Sequence, residues 1–135
     1  MNGRVFLDTN ILIYAHTDID LVKLRIAQQL IRASNSVVST QVLQETANTL
    51  HRKFKCSWDE IQQVLEEESI NNSIHTAGYN TITQACSIAQ RYGYAFYDCM
   101  ILSAALESGC HTLYSEDLQN NQQIENRVTI LNPFL

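Results

Sequence analysis

Two apolar runs flank a polar triplet near the start of the chain: Val5-Phe6-Leu7, then Asp8-Thr9-Asn10, then Ile11-Leu12-Ile13-Tyr14-Ala15. A short, β-prone apolar run that stops at an acid reads as a buried strand of a parallel sheet. The second run predicts a short helix over Thr9–Ala15. Asp18 or Asp20 then caps a helix with Leu21, Leu24, Ala27 and Ile31 on one side. Ser36–Ser39 reads as the next strand. Thr40 opens a helix whose stripe is Leu43, Ala47, Leu50 and Phe54, and Glu45 lies off that stripe in the second turn.

The middle of the chain is helical. Ser57 and Glu60 form a capping box, Cys56 and Ile61 a staple, and Ile61, Val64 and Leu65 an apolar face. Glu66-Glu67-Glu68 reads as a solvated helix end without chemistry. A short extra strand is expected around Ile74-His75. Ile82, Ala85, Cys86 and Ala89 predict a helix that closes on Gly93. Asp98 reads as the N-cap of an apolar helix through Ile101, Leu102, Ala105 and Leu106 to Gly109. His111–Tyr114 and Val128–Leu131 are strands, with a short helix expected between them. Alternating strands and helices over 1–135 predict one α/β domain, three layers α/β/α around a central, mainly parallel sheet.

Composition supports this reading. One proline and four glycines leave little room for a hairpin-rich β fold. No apolar run approaches membrane-spanning length, and the first one lacks a basic leader, so it makes a poor signal peptide. Cys56, Cys86, Cys99 and Cys110 show no zinc-site spacing and read as reduced, mostly buried thiols of a cytoplasmic protein. The net charge of −5 argues at first against a polyanionic partner. If four of the fourteen carboxylates bind metal, ten remain against nine Lys and Arg, and the rest of the surface is near neutral.

The acids change the picture when collected by position. Asp8 ends a strand, Glu45 lies early in a helix after a strand, Asp98 opens a helix, and Asp117 follows a strand. Singly, each has an ordinary explanation as a cap or a solvated group. Together they lie where an α/β domain presents its carboxyl edge. Glu45 leans toward the preceding strand end, because helical side chains tilt toward the N-terminus. Like charges gathered this way repel by roughly 4 kcal/mol per close pair, which divalent cations would relieve. All-oxygen donors suit Mg²⁺ or Mn²⁺, ions that activate water and steady charge on phosphate. Asn10 would add an uncharged oxygen or orient a ligand. Arg52, Lys53 and Lys55 form the one dense basic patch, either touching phosphate or balancing a helix dipole. None of the four histidines reads as a catalytic base.

The set Leu7-Asp8-Thr9-Asn10, Gln44-Glu45-Thr46-Ala47-Asn48, Tyr97-Asp98 with its helix to Cys110, and Tyr114-Ser115-Glu116-Asp117-Leu118 resembles the PIN-domain ribonucleases, most closely the small VapC-type toxins. The resemblance implies a PIN fold and metal-dependent cleavage of single-stranded RNA regions. It implies metal-binding carboxylates at Asp8, Glu45, Asp98 and Asp117, with Ser115 helping to hold them and Glu116 an outer neighbour, the choice between Glu116 and Asp117 staying open. It also implies a homodimer and a small antitoxin partner. Two other readings compete. One is a catalytically silent PIN-like domain that binds RNA or protein. The other is a phosphoacceptor domain, disfavoured because Lys23, Lys53 and Lys55 all lie early in the chain.

Overall fold

The computed structural model describes residues 3–33 and 35–135, so positions 1, 2 and 34 of the expected 1–135 domain lie outside the described residues. The order is β1 (Arg4–Leu7), α1 (Thr9–His16), α2 (Leu21–Ala33), β2 (Ser36–Ser39), α3 (Thr40–Arg52), α4 (Trp58–Asn71), β3 (Ser73–His75), α5 (Tyr79–Tyr92), α6 (Phe96–Glu107), β4 (Cys110–Tyr114), β5 (Gln123–Ile124) and β6 (Val128–Leu131). Six strands form one sheet in the order β3-β2-β1-β4-β6-β5. All pairs are parallel except β5 with β6. The expected mainly parallel sheet flanked by helices is what forms.

The connection from β1 leads to β2 on one side, while β4 lies on the other. That reversal opens a crevice at the carboxyl ends of β1 and β4, where such sheets bind ligands. Register brings Leu7 beside Tyr114, and Asp8 N–H extends the ladder to Tyr114 C=O at 3.1 Å. The core is built from β1, from Val37 and Val38 of β2, and from α6, buried all round from Cys99 to Leu106. A smaller apolar cluster joins Ile13, Leu50 and Ile61 under α3 and α4.

Several expectations need correction. Asp98 is not the N-cap of α6; the helix begins at Phe96 after Ala95, and Asp98 sits in its first turn. The buried stripe of α5 is Thr81, Ala85 and Ile88, so Ile82 and Cys86 face outward. Thr81 is tolerated inside because its hydroxyl accepts from Gly78 N–H at 3.0 Å and also bonds Glu107. In α3, Val42, Thr46 and Leu50 are the fully buried line, with Leu43, Ala47 and Phe54 packed at its margin. No helix separates β4 from β6. The turn after β5 has positive φ at Glu125 (51°) and Asn126 (54°), which turns the chain into a tight antiparallel hairpin.

Glu68 departs most from expectation, being 1% exposed. Its carboxylate contacts His16 Nε2 and accepts from Asn72 Nδ2 at 2.9 Å. This pairing ties the end of α1 to α4. Among the described residues, no helix is long and apolar enough to cross a membrane.

Candidate active site

Asp8 caps α1 in an extended conformation, as strand end and helix start at once. Oδ1 accepts from Thr9 N–H at 2.7 Å, and Oδ2 accepts from the Ser115 hydroxyl at 2.7 Å. Both readings of Asp8, cap and strand-end acid, therefore hold together. The side chain is buried beneath the crevice. Burial, above all, pushes its pKa from 3.8 up to about 6; the charges of Glu45 and Asp117 add to this, and the two hydrogen bonds oppose it.

Glu45 projects from the second turn of α3 toward the end of β1. Its Oε1 accepts from the Thr9 hydroxyl at 2.6 Å and its Oε2 from Gln41 Nε2 at 3.0 Å. Gln41 Nε2 also donates to Tyr97 C=O at 3.1 Å, fastening α3 to the first turn of α6. That turn carries Asp98, half-buried, its pKa raised by burial first and then by the charges of Asp117 and Glu45.

Ser115 is fully buried at the end of β4 and acts as a hub. Its N–H donates to Leu131 C=O at 3.0 Å. Its oxygen donates to Asp8 and accepts from Asp117 N–H at 3.2 Å. Asn10 Nδ2 donates to Asp117 Oδ2 at 3.1 Å, and Asn10 Oδ1 accepts from Glu116 N–H at 3.4 Å. Asp117 is thereby held against the group while remaining exposed.

Glu116 points elsewhere. Its carboxylate accepts from the Tyr14 hydroxyl at 2.8 Å and lies 3.2 Å from Lys23 Nζ. It does not figure among the charges acting on Asp8 or Asp98, whereas Asp117 acts on both. The geometry thus brings Asp8, Glu45, Asp98 and Asp117 around one crevice, with Asn10 and Ser115 as fasteners, while the carboxylate of Glu116 is taken up by Tyr14 and Lys23 at the wall of the adjoining concavity. Thr9 and Gln41, not singled out from sequence, are the fasteners of Glu45. The spacing of Gln41 four residues before Glu45 was a usable signal. A concavity of about 410 Å³ adjoins the crevice, lined among others by Thr9, Asn10, Glu45, Asn48, Lys53 and Asp117.

The donors offered are carboxylate, amide and hydroxyl oxygens, without thiol or imidazole, which fits a hard divalent cation. The pKa values of Asp8 and Asp98 are raised chiefly by burial, and the charges of Glu45 and Asp117 add to both shifts. The four are spread more widely than a closed ligand shell. Among the described residues, the group whose ligand atoms all lie within 4.8 Å is instead His16, Glu67 and Glu68, on the α1–α4 contact.

The PIN domain family model matches residues 5–122. No curated protein matches the sequence. Among solved structures, the fold is similar to Mycobacterium tuberculosis VapC20, a sarcin-ricin loop cleaving toxin, at TM-score 0.69 and 18% identity over 84% of this chain and 89% of that one. It is similar at the same score and identity to a toxin–antitoxin complex from Klebsiella pneumoniae, over 96% and 97% of the two chains. VapBC2 from Rickettsia felis, bound to a DNA fragment from its promoter, matches at TM-score 0.67 and 18% identity over 96% and 99%. At these identities the likeness speaks for the fold, while the family match spans all four carboxylates and the four residues that fasten them. This chain belongs to the PIN domain family.

Proposed function

We propose that the chain is a metal-dependent endoribonuclease that cuts single-stranded RNA regions, and that it is the toxin of a toxin–antitoxin pair. The observation that carries the reading is the set of hydrogen bonds that tie Asp8, Glu45 and Asp117, from distant parts of the chain, to one crevice, with Asp98 within reach of the charges of Glu45 and Asp117. Asp8, Glu45 and Asp98 would hold Mg²⁺ or Mn²⁺, with Asp117 supporting it or a second ion. When bound, such an ion supplies an activated water and stabilises negative charge on the phosphodiester.

The chain's own residues do the positioning. Ser115 and the Thr9 amide fix the rotamer of Asp8. The Thr9 hydroxyl and Gln41 fix Glu45, and Asn10 fixes Asp117. A donor set locked this way loses little side-chain freedom on binding a cation. No side chain is required as nucleophile, and the histidines are engaged elsewhere: His16 with Glu68, His75 with Glu107, and His51 stacked on Trp58.

The toxin role is supported by similarity to VapC20 and to chains solved in toxin–antitoxin complexes. It carries with it a homodimer, a small antitoxin whose basic residues would meet the acidic crevice, and a place of action in the cytoplasm. The deciding experiment is cleavage of structured and unstructured RNAs with Mg²⁺ or Mn²⁺, beside Asp8→Asn and Asp98→Asn. Cleavage by the wild type alone is expected; equal cleavage by all three proteins refutes the assignment. Co-expression with the neighbouring reading frame should yield a co-purifying complex, and a chain that stays solitary and harmless to cells contradicts the toxin role.

A further inference from the structure

The end of α3 and the start of α4 carry a feature that the acid crevice does not explain. Trp58, the sole tryptophan of the chain, opens α4 with 58% of its surface exposed. The His51 ring covers one face of it, with centroids 3.9 Å apart and planes 18° from parallel. Beside this pair, His51, Arg52 and Lys55 line a concavity of about 650 Å³. Arg52, Lys53 and Lys55 place three of the nine Lys and Arg within four positions of a chain whose net charge is −5. Lys55 has φ +58°, a left-handed conformation uncommon outside glycine.

Capping explains part of this. Lys55 Nζ donates to Arg52 C=O at 3.0 Å, and cations suit a helix C-terminus. Capping does not account for the solvent-exposed indole, and Lys53, the C-cap residue of α3, also lines the concavity shared with Glu45 and Asp117. Glu45, Asn48, Thr49 and Lys53 all line that concavity and fall at i, i+3, i+4 and i+8 of α3, a single polar face. It runs from the acid crevice to the basic end. Eight residues at 1.5 Å each span about 12 Å, or three to four nucleotides at the ~3.4 Å spacing of stacked bases.

We infer that this face, together with the neighbouring basic concavity beside the His51–Trp58 pair, is a landing strip for the single-stranded RNA flanking the cleaved bond, in which Trp58 stacks a base and Arg52, Lys53 and Lys55 hold backbone phosphates. The inference rests on the ribonuclease reading of the crevice for its occupant. It follows the usual construction of single-strand binding surfaces, a cationic groove beside an aromatic platform.

The sole tryptophan makes the test direct. Wild-type protein in EDTA, titrated with a twelve-nucleotide oligouridine, should show saturable quenching of Trp58 fluorescence that weakens with salt. Trp58→Ala should bind a dye-labelled copy of that RNA about tenfold more weakly by anisotropy, the scale of one lost base stack. Trp58→Phe should recover most of the loss. The double variant Arg52→Ala/Lys55→Ala should also weaken binding and lower the slope of log affinity against log salt by about two. Asp98→Asn should keep the quenching while losing cleavage. If cleavage is absent throughout but quenching persists, the nuclease reading fails and the RNA strip stands. If labelled RNA binds without quenching, or the Trp58 and Arg52/Lys55 variants bind and cut like wild type, the strip is overturned. Quenching by a co-purified protein and none by RNA overturns it likewise.

Discussion

The Ser115 hydroxyl donates to Asp8 Oδ2 across 107 residues of sequence, at 2.7 Å and with both groups buried. The bond joins the end of β4 to the end of β1 and opposes the burial that raises the Asp8 pKa. Ser115→Ala removes that opposition. The acid limb of the pH–rate profile should move to higher pH, and the fold should lose about 1–2 kcal/mol as a buried acceptor goes unpaired. Urea denaturation and a pH series of cleavage rates read the two effects; an unmoved acid limb would contradict this role of Ser115.

Asp8 should make metal-free stability fall as pH rises. Folded Asp8 takes its proton at about pH 6, against 3.8 for the ordinary carboxyl. Between these values the folded chain holds more protons than the unfolded one. Stability is therefore gained as pH falls through 6, and the ionised form costs about 3 kcal/mol above it. Asp98 is shifted in the same direction. Asp8→Asn should raise the urea midpoint at pH 8 in EDTA and flatten the profile between pH 4 and 6, while abolishing cleavage. A variant less stable than wild type at pH 8 would refute the electrostatic account.

Added Mn²⁺ should reverse the penalty. A ligand bound only by the folded state raises the melting temperature, so the wild type should gain stability with Mn²⁺ and Asp8→Asn should gain little. Glu67→Gln separates this effect from binding at the His16–Glu67–Glu68 group. Its Mn²⁺ response should match that of the wild type.

Asp117 and Glu116 should separate cleanly in kinetics. Glu116 spends its carboxylate on Lys23 and Tyr14 at the wall of the adjoining concavity, while Asp117 is held toward the other acids by Asn10. Asp117→Asn should lower kcat by about a hundredfold or more, the scale of ~2.7 kcal/mol of lost transition-state stabilisation. Glu116→Gln should stay within a fewfold of wild type. The reverse order would exchange their roles.

Glu68 should matter to folding and not to cleavage. Removing Glu68 leaves the buried polar groups of His16 and Asn72 without their carboxylate partner, at about 1–3 kcal/mol. Glu68→Ala should lose about that much in urea denaturation, with kcat of the folded fraction unchanged.

Much of the site was legible because its logic is local. Asp8 ends an apolar run, and the tilt of helical side chains carries Glu45 toward the strand behind it. What stayed illegible depends on tertiary neighbours. Thr9 simply opens the helix behind Asp8, and only the approach of α3 makes its hydroxyl the link to Glu45. Asp98 was displaced from cap to first turn because Phe96 and Tyr97 already adopt helical geometry. Glu68 was misread through composition: three glutamates suggest solvent, yet Ile61, Val64, Leu65 and Glu68 fall at i, i+3, i+4 and i+7, which puts Glu68 on the apolar stripe. Phase also failed in α5, where Thr81 displaced Ile82 from the core because Gly78 and Glu107 satisfy its hydroxyl.

The hub at Ser115 has a consequence for synthesis. Its N–H is anchored on Leu131 in β6, and its hydroxyl reaches back to Asp8, which left the ribosome over a hundred residues earlier. A growing chain therefore carries three of the four acids long before it can arrange them. If the crevice cuts RNA as proposed, a chain in which β6 has not yet docked lacks the anchor that holds Ser115, and through it Asp8, in place.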